Sequence, residues 1–326
     1  MGLATAWALR RERRDVLVLE QFEVGHPHGS SHGTARIFRF AYSEPEWVAL
    51  AQEALPIWRE LEAESGTELL ALTGLVDTGQ DTGPLCAALE ERSAEYELLS
   101  AEQAAERFGL RFDRDVVLEL HGGMVWADKA RGAFSAGLAV REGVRAIAIE
   151  PHDDGVVIET SAGPLHAGTA VVAAGAWATP LLAGAGIELT TKVTRETVAY
   201  FELPGVDDLP AIIDWNMVTG RHAYSLANDE TTLKVGLHHS GTRADPDEPG
   251  EPSEAVVAEM SDWVGRRYPA ANPEPMLAET CLYTSIEDDA FVIERHGSII
   301  VCSACSGHGF KFAPAVGMRT AALAAS

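Results

Sequence analysis

The sequence predicts an α/β protein carrying a second, more antiparallel layer, and three observations predict it. An Ala/Leu-rich helical stretch over 3–11 leads into Asp15-Val16-Leu17-Val18-Leu19-Glu20, a continuous apolar run of the length and type of a buried parallel strand. Strand-like and helix-like patterns then interleave along the chain, as α/β architecture requires. The middle third is instead dense in alternating and β-branched segments, which ask for a sheet of their own.

The elements follow in order. The stretch 45–64 places Trp47, Leu50, Ala51, Ala54, Leu55, Trp58 and Leu61 on one face, which predicts an amphipathic helix. Glycines bound a short strand over 74–79. Further strands are predicted over 155–160, 170–174, 193–202, 231–239 and 298–302. The Pro- and acid-rich stretch 243–252 reads as a solvated loop entering a helix over 254–267. No internal repeat is present.

A length of 326 residues is more than one core usually organises, so about two domains are expected. With 46% hydrophobic and 23% charged residues, disordered and low-complexity classes are excluded. Lys plus Arg number 25 against 49 Asp plus Glu, a net charge of −24, and such a surface repels phosphate backbones and anionic lipid. Neither nucleic acid nor membrane is therefore an expected partner, and any clustered cations are local exceptions in a negative field. No apolar run approaches the roughly 20 residues of a membrane span. The basic stretch Arg10-Arg11-Glu12-Arg13-Arg14 stands where a signal peptide would have its cleavage site, so a cytoplasmic location is expected. The four cysteines make no disulfide framework. Cys302 and Cys305 have metal-pair spacing, but no second pair completes a tetrahedral site; no metal is expected, and they read as small buried residues at a strand end.

The amino terminus carries chemistry. Gly2 opens a helix and Glu20 closes the following strand eighteen residues on, which fits the second half of a dinucleotide-binding βαβ unit. There the glycine lets the helix pack close and the acid binds a ribose hydroxyl. A helix that merely begins at Met1 is the alternative.

Five segments occur in one order: Gly29-Ser30-Ser31-His32-Gly33-Thr34-Ala35-Arg36 with its continuation to Tyr42, Ala174-Gly175-Ala176-Trp177, Leu233-Lys234-Val235-Gly236-Leu237-His238, Cys281-Leu282-Tyr283-Thr284, and Cys305-Ser306-Gly307-His308-Gly309-Phe310-Lys311-Phe312. Together they resemble the monomeric sarcosine oxidase and N-methyltryptophan oxidase family of flavoproteins, over nearly the whole chain. The resemblance implies an FAD-binding Rossmann-like domain of the glutathione-reductase type over 1–42, 130–188 and 285–326. Interleaved with it would be a substrate domain on a mixed or antiparallel sheet over 43–129 and 189–284. It further implies a monomer that oxidises a secondary amino acid, N-methyl or cyclic, to an imine and passes the electrons to O2, giving H2O2. Two other classes stay open: a non-catalytic remnant deficient in FAD, and a flavin amine dehydrogenase that does not use O2, against which Lys234 speaks.

The resemblance also assigns roles. Cys281 matches the cysteine that joins the flavin by a thioether, with a buried structural thiol as the alternative. Lys234 matches the oxygen-activating lysine, unless it points to solvent. Arg36 and Lys311 match a clamp on the substrate carboxylate, the first as a planar fork and the second as a point charge. Arg39, on the same face as Arg36 if that segment is helical, matches an arginine near the ring that favours anionic reduced flavin. His238, given a pKa near neutrality, and Tyr224 match polar residues on the substrate side. Gly2, Glu20, Ser31, His32, Gly33, Gly175, Trp177, Gly307, His308 and Gly309 match cofactor contacts, together with Cys281 and Lys311.

Three departures from the family pattern are visible. Thr34-Ala35 stands where the family has Asp-Thr, which moves the hydroxyl beside Arg36 by one position. The stretch 131–150 is short, so one strand of the flavin domain is expected to be abbreviated. Met1-Gly2 matches the tail of the Gly-x-Gly-x-x-Gly fingerprint and Ser326 falls within a closing helix, so the first strand is expected to lie outside this sequence and FAD binding to suffer.

Overall fold

The computed structural model describes residues 1–215 and 221–326. Small residues let its first and last helices meet. Gly2–Arg11 and Ala313–Ala325 pack side by side, and a Cβ on Gly317 would come within 2.7 Å of the Ala4 carbonyl carbon. Beside them Leu17–Leu19 runs parallel to Ala139–Arg141, and Ala170–Val172 runs parallel to Ile299–Ser303. Val292–His296 adds an antiparallel edge to the second pair. A three-stranded antiparallel meander, Ala146–His152, Gly155–Thr160 and Leu165–Ala167, stands alongside. The strand expected over 15–20 is shorter than its apolar run, and Glu20 sits immediately past its end. In the stretch 131–150 the nine-residue helix Ala127–Ser135 is followed by the three-residue strand Ala139–Arg141.

The large sheet supplies the second layer. Lys192–Glu202 is its axis, pairing antiparallel with Pro275–Ser285 on one side and with Thr232–Leu237 on the other. The order continues through Ala223–Ala227, Ala211–Asp214, Leu75–Thr78, Val116–Glu119 and Tyr96–Leu99, and the contact of Ala211–Asp214 with Leu75–Thr78 is its one parallel step among the described residues. A separate small sheet of Ala35–Phe38, Gly123–Trp126 and Leu70–Ala71 packs against it.

The expected amphipathic helix spans Pro45–Ser65, started by Pro45 in its first turn and stopped by Gly66 in the left-handed conformation (φ 64°). It buries Val48, Ala51, Ala54, Trp58 and Leu61. Trp58 Nε1 donates to the Lys311 carbonyl at 2.8 Å, tying this helix to the last of the five signature segments.

Beneath the large sheet lies a buried ion pair that sequence patterning did not expose. The Asp214 carboxylate accepts from Arg267 and, at 2.8 Å, from Trp263 Nε1, and the Arg267 guanidinium stacks over Phe112 with its carbon 4.6 Å from the ring centre. Arg267→Ala removes that countercharge from a buried carboxylate and is expected to cost about 3–5 kcal/mol in chemical denaturation. A loss below about 1 kcal/mol would show the pair to be stabilised otherwise.

Candidate active site

A cavity of about 1940 Å³ runs from Met1, Gly2 and Glu20 at one end to Tyr42 and Lys311 at the other. Small-molecule pockets reach about 1000 Å³. A cavity this large takes an extended ligand together with a smaller one.

Every residue nominated from the sequence lines it except Gly33. Gly33 borders a smaller pocket of about 350 Å³, shared with Tyr200 and Glu279. Its backbone has φ +89°, and a Cβ there would lie 3.5 Å from Lys234 Nζ and 3.6 Å from Arg36 Nη1. The left-handed backbone is what calls for glycine here, and both cations lie in contact range of the loop.

One face of the large sheet organises the chemistry. Side chains alternate along a strand, and residues directly opposite one another share a face. Tyr224 pairs with Gly236, Gly236 with Val198, and Lys234 with Tyr200. Cys281 pairs with Glu196, two residues before Val198, so it joins the same face. A Cβ on Gly236 would meet the Tyr224 hydroxyl at 2.4 Å, so the glycine is what seats the Tyr224 ring. Lys234 is only 4% exposed, which excludes the solvent-pointing reading.

Three cations stand here without a carboxylate within ion-pair distance among the described residues. Arg36 donates to the carbonyls of Ala35 (2.9 Å), Ser30 (2.9 Å) and His32 (2.5 Å). Lys311 donates to the Tyr42 hydroxyl (2.9 Å) and the His308 carbonyl (2.6 Å). Lys234 reaches the Ala35 carbonyl at 3.4 Å. Burial, and then the Arg36 charge, push the Lys234 ammonium down to about 7. Burial followed by Arg39 holds Lys311 well below its ordinary value. Burial raises the Cys281 thiol, while Arg36 and Lys234 pull it partly back.

Two sequence expectations need correction. The segment after Arg36 is the strand Ala35–Phe38, built from Ile37 and Phe38, so Arg39 does not share a helical face with Arg36. Its guanidinium carbon instead lies 4.0 Å over the Tyr42 ring centre, with Asp77 at 4.0 Å. Burial pushes the Asp77 carboxyl up to about 6 against the pull of Arg39 and the Trp215 indole. The second correction concerns His238, which does not titrate near neutrality. Its ring lies 4.5 Å from His222 and 4.1 Å from His239, and burial followed by those two rings sets it well below the usual imidazole range. His222, stacked in turn on Trp215 at 4.1 Å, falls to about 3 through burial and then Arg39. Both rings are neutral hydrogen-bonding walls. His239 differs: its hydrogen bond to Asp289, at 3.3 Å between Nε2 and Oδ2, raises it. His238, His239 and Asp289 hold one ligand-type atom each within 4.8 Å of one another.

The other end is shaped for a dinucleotide. Burial would raise the Glu20 carboxyl, but bonds from His26 and the Phe22 amide outweigh it and hold the group ionised, ready to accept from hydroxyls. Trp177 lines the same wall, with Nε1 on Asp247 at 2.8 Å, and Asp247 also takes a bidentate Arg145. Gly309 is compulsory, because a Cβ would lie 1.9 Å from the Ala304 carbonyl oxygen; at Gly307 it would strike the Tyr283 ring at 2.3 Å. Cys302 and Cys305 do not form a pair: Cys302 accepts from Thr320, while Cys305 lies by Ser30 and Thr284.

Sequence reasoning missed Tyr42, Tyr200, His222, Trp215 and Glu279. Tyr283, two residues past Cys281, was recoverable from the period of two along the strand Pro275–Ser285.

An acid-tipped strand, a glycine-lined cradle and a cavity lined by cations that have no carboxylate partner among the described residues define an oxidoreductase that buries a dinucleotide cofactor beside a site for a small anion. The chain belongs to the family described as DAO, FAD dependent oxidoreductase, whose profile matches residues 1–323, and it is FAD-dependent. It is 35% identical to peroxisomal sarcosine oxidase of Homo sapiens, over 97% of this chain and 87% of that protein. Against monomeric sarcosine oxidase of a Bacillus species the identity is 28%, over 99% and 90%. Among solved structures, the open form of NikD, titled an unusual amino acid oxidase essential for nikkomycin biosynthesis, superposes with a TM-score of 0.88 at 26% identity, over 99% of this chain and 91% of that one. No helix among the described residues is long and apolar enough to cross a membrane.

Proposed function

We propose that this protein oxidises a secondary amino acid, N-methyl or cyclic, at the carbon next to nitrogen, and uses O2 as the electron acceptor. The observation that carries the reading is the gathering of Arg36, Lys234 and Lys311 on one cavity without a carboxylate partner among the described residues, in a protein of net charge −24. Buried charge left unpaired is costly, so such a set is retained for an anionic ligand. When bound, FAD supplies the two-electron chemistry, in which a hydride equivalent leaves the carbon, the imine is released to water and O2 becomes H2O2.

The chain's own residues have distinct tasks. Arg36 and Lys311 hold the substrate carboxylate and thereby orient the carbon to be oxidised. The neutral His222 and His238 and the Tyr224 hydroxyl line the nitrogen side, and Arg39 adds positive charge beside Tyr42. Lys234 faces Gly33 and stabilises charge that develops on oxygen. Segments 1–42, 130–188 and 285–326 form the cofactor domain, with Gly2, Glu20, Ser31, His32, Gly33, Gly175, Trp177, Gly307, His308 and Gly309 on the cofactor; segments 43–129 and 189–284 form the substrate domain, and the site lies where the two meet, Arg36 and Lys311 coming from the first and Lys234 and Cys281 from the second. A soluble cytoplasmic monomer completes the proposal.

We also assign Cys281 as the attachment point of the flavin. Acid precipitation of the purified protein is expected to carry yellow colour into the pellet, and Cys281→Ser to release it into the supernatant. Flavin that stays acid-resistant in Cys281→Ser refutes the attachment.

A further inference from the structure

We propose that Tyr42 and His308 are positioning residues that aim Lys311, leaving it one free position, which is a hydrogen-bond donor when the lysine is charged and a lone pair when it is not. This rests on the reading that a substrate carboxylate docks at Lys311.

The argument is one of donors and acceptors. His308 Nε2 lies 3.0 Å from the Asp289 carbonyl, which can only accept, so Nε2 carries the proton. Burial, and next the Lys311 charge, push His308 down to about 3, so the ring is neutral and its Nδ1 is a lone pair. Tyr42 stands 3.1 Å from that Nδ1 and has one proton to give, so it donates there. The Tyr42 oxygen then has only lone pairs left, and it accepts from Lys311 Nζ at 2.9 Å. A second Lys311 N–H goes to the His308 carbonyl at 2.6 Å. An ammonium has three donors, so one remains for the cavity that Lys311 lines. When Lys311 is deprotonated, both fixed acceptors keep their bonds and the lone pair takes the free vertex. A carboxylate is bound in the first state and repelled in the second.

Around this wire, Arg39 lies over the Tyr42 ring and also bonds its side chain, Glu44 and Asp289 act on Tyr42 through their charge, His238 faces His308, His222 and His239 act on Asp289, and Trp47, Phe291 and Phe312 pack around them. Tyr42 is 8% exposed and Lys311 5%, so bulk water does not take over their bonds.

Two measurements test it. In 15N-histidine NMR of the whole protein, the His308 signal, assigned by its loss in His308→Gln, is expected as the Nε2–H tautomer from weakly acid to weakly alkaline pH. The Nδ1–H tautomer or an imidazolium overturns the wiring. In calorimetric titration with acetate, Tyr42→Phe is expected to weaken binding about tenfold, the loss of one bond to a charged group. Because the lost acceptor served the charged lysine, the alkaline limit of acetate binding should also move to lower pH. Unchanged affinity and pH limit in Tyr42→Phe overturn the positioning role. Failure of acetate to bind the wild type overturns the carboxylate site instead, and leaves the tautomer result to stand or fall by itself.

Discussion

Lys234→Met is expected to slow the reaction of the reduced enzyme with oxygen by about 10²–10³-fold, the usual cost of deleting one aimed charge from a dry site. Anaerobic reduction by substrate should change far less, because the carboxylate is assigned to Arg36 and Lys311; Lys234 shares the Gly33 loop with Arg36 but holds no part of the substrate in this reading. Rapid mixing with and without oxygen separates the two half-reactions. A variant slowed equally in both would place Lys234 on the substrate side. The wild type carries its own pH signature. With the ammonium pushed down to about 7, the oxygen reaction should decline as pH rises through that value, as the charge is lost.

Stability gives the same residue a second readout. The folded pKa of about 7 lies below the unfolded value near 10.5, so the native state releases this proton first. Below about 7 both states are charged and the full cost of burying the ammonium is present; between about 7 and 10.5 the cost falls as pH rises. Lys234→Met removes it. The variant's gain over wild type in chemical denaturation should therefore be larger at pH about 6 than at pH about 9.

Arg36→Ala should lower kcat/KM for a secondary amino acid by about 10²–10³-fold. Two charge-assisted bonds to a carboxylate are lost together, each worth about 1.5–3 kcal/mol before compensation. Arg36→Lys keeps the charge but not the fork and should recover about tenfold of that loss. The control is a secondary amine without a carboxylate, which wild type should use poorly and Arg36→Ala equally poorly. A variant that loses the same factor on both substrates would make Arg36 a structural residue, held by the Ser30 and His32 carbonyls for the sake of that loop.

Much of this site was legible in the sequence because the residues that carry the resemblance sit in short contiguous segments such as 233–238 and 305–312. Lys234 lies within the strand Thr232–Leu237 and His238 just past its end, and Glu20 marks a strand end by itself. The aromatic and acidic partners were not legible, because they arrive from distant strands. Tyr200 meets Lys234 only through the pairing of Lys192–Glu202 with Thr232–Leu237, and Tyr42 meets His308 across 266 positions. The condition that would have put Arg39 on one face with Arg36 is not met, because Ile37 and Phe38 favour a strand, and the direction a side chain takes after three residues differs between strand and helix. His238 was misjudged for a different reason. Burial first, and then the neighbouring His222 and His239, set its pKa, and those come together with it only once the strands pair and the chain turns, His239 itself with φ +54°.

The most direct test of the central claim is anaerobic mixing of the purified protein with sarcosine and, in parallel, with a cyclic and a bulkier N-methyl amino acid, while the visible flavin absorption is followed. Bleaching by at least one of them, reversed on admitting air with one H2O2 formed per substrate consumed, is the result predicted. A protein that carries flavin yet keeps its colour with every secondary amino acid, or one that yields no peroxide on reoxidation, would contradict it.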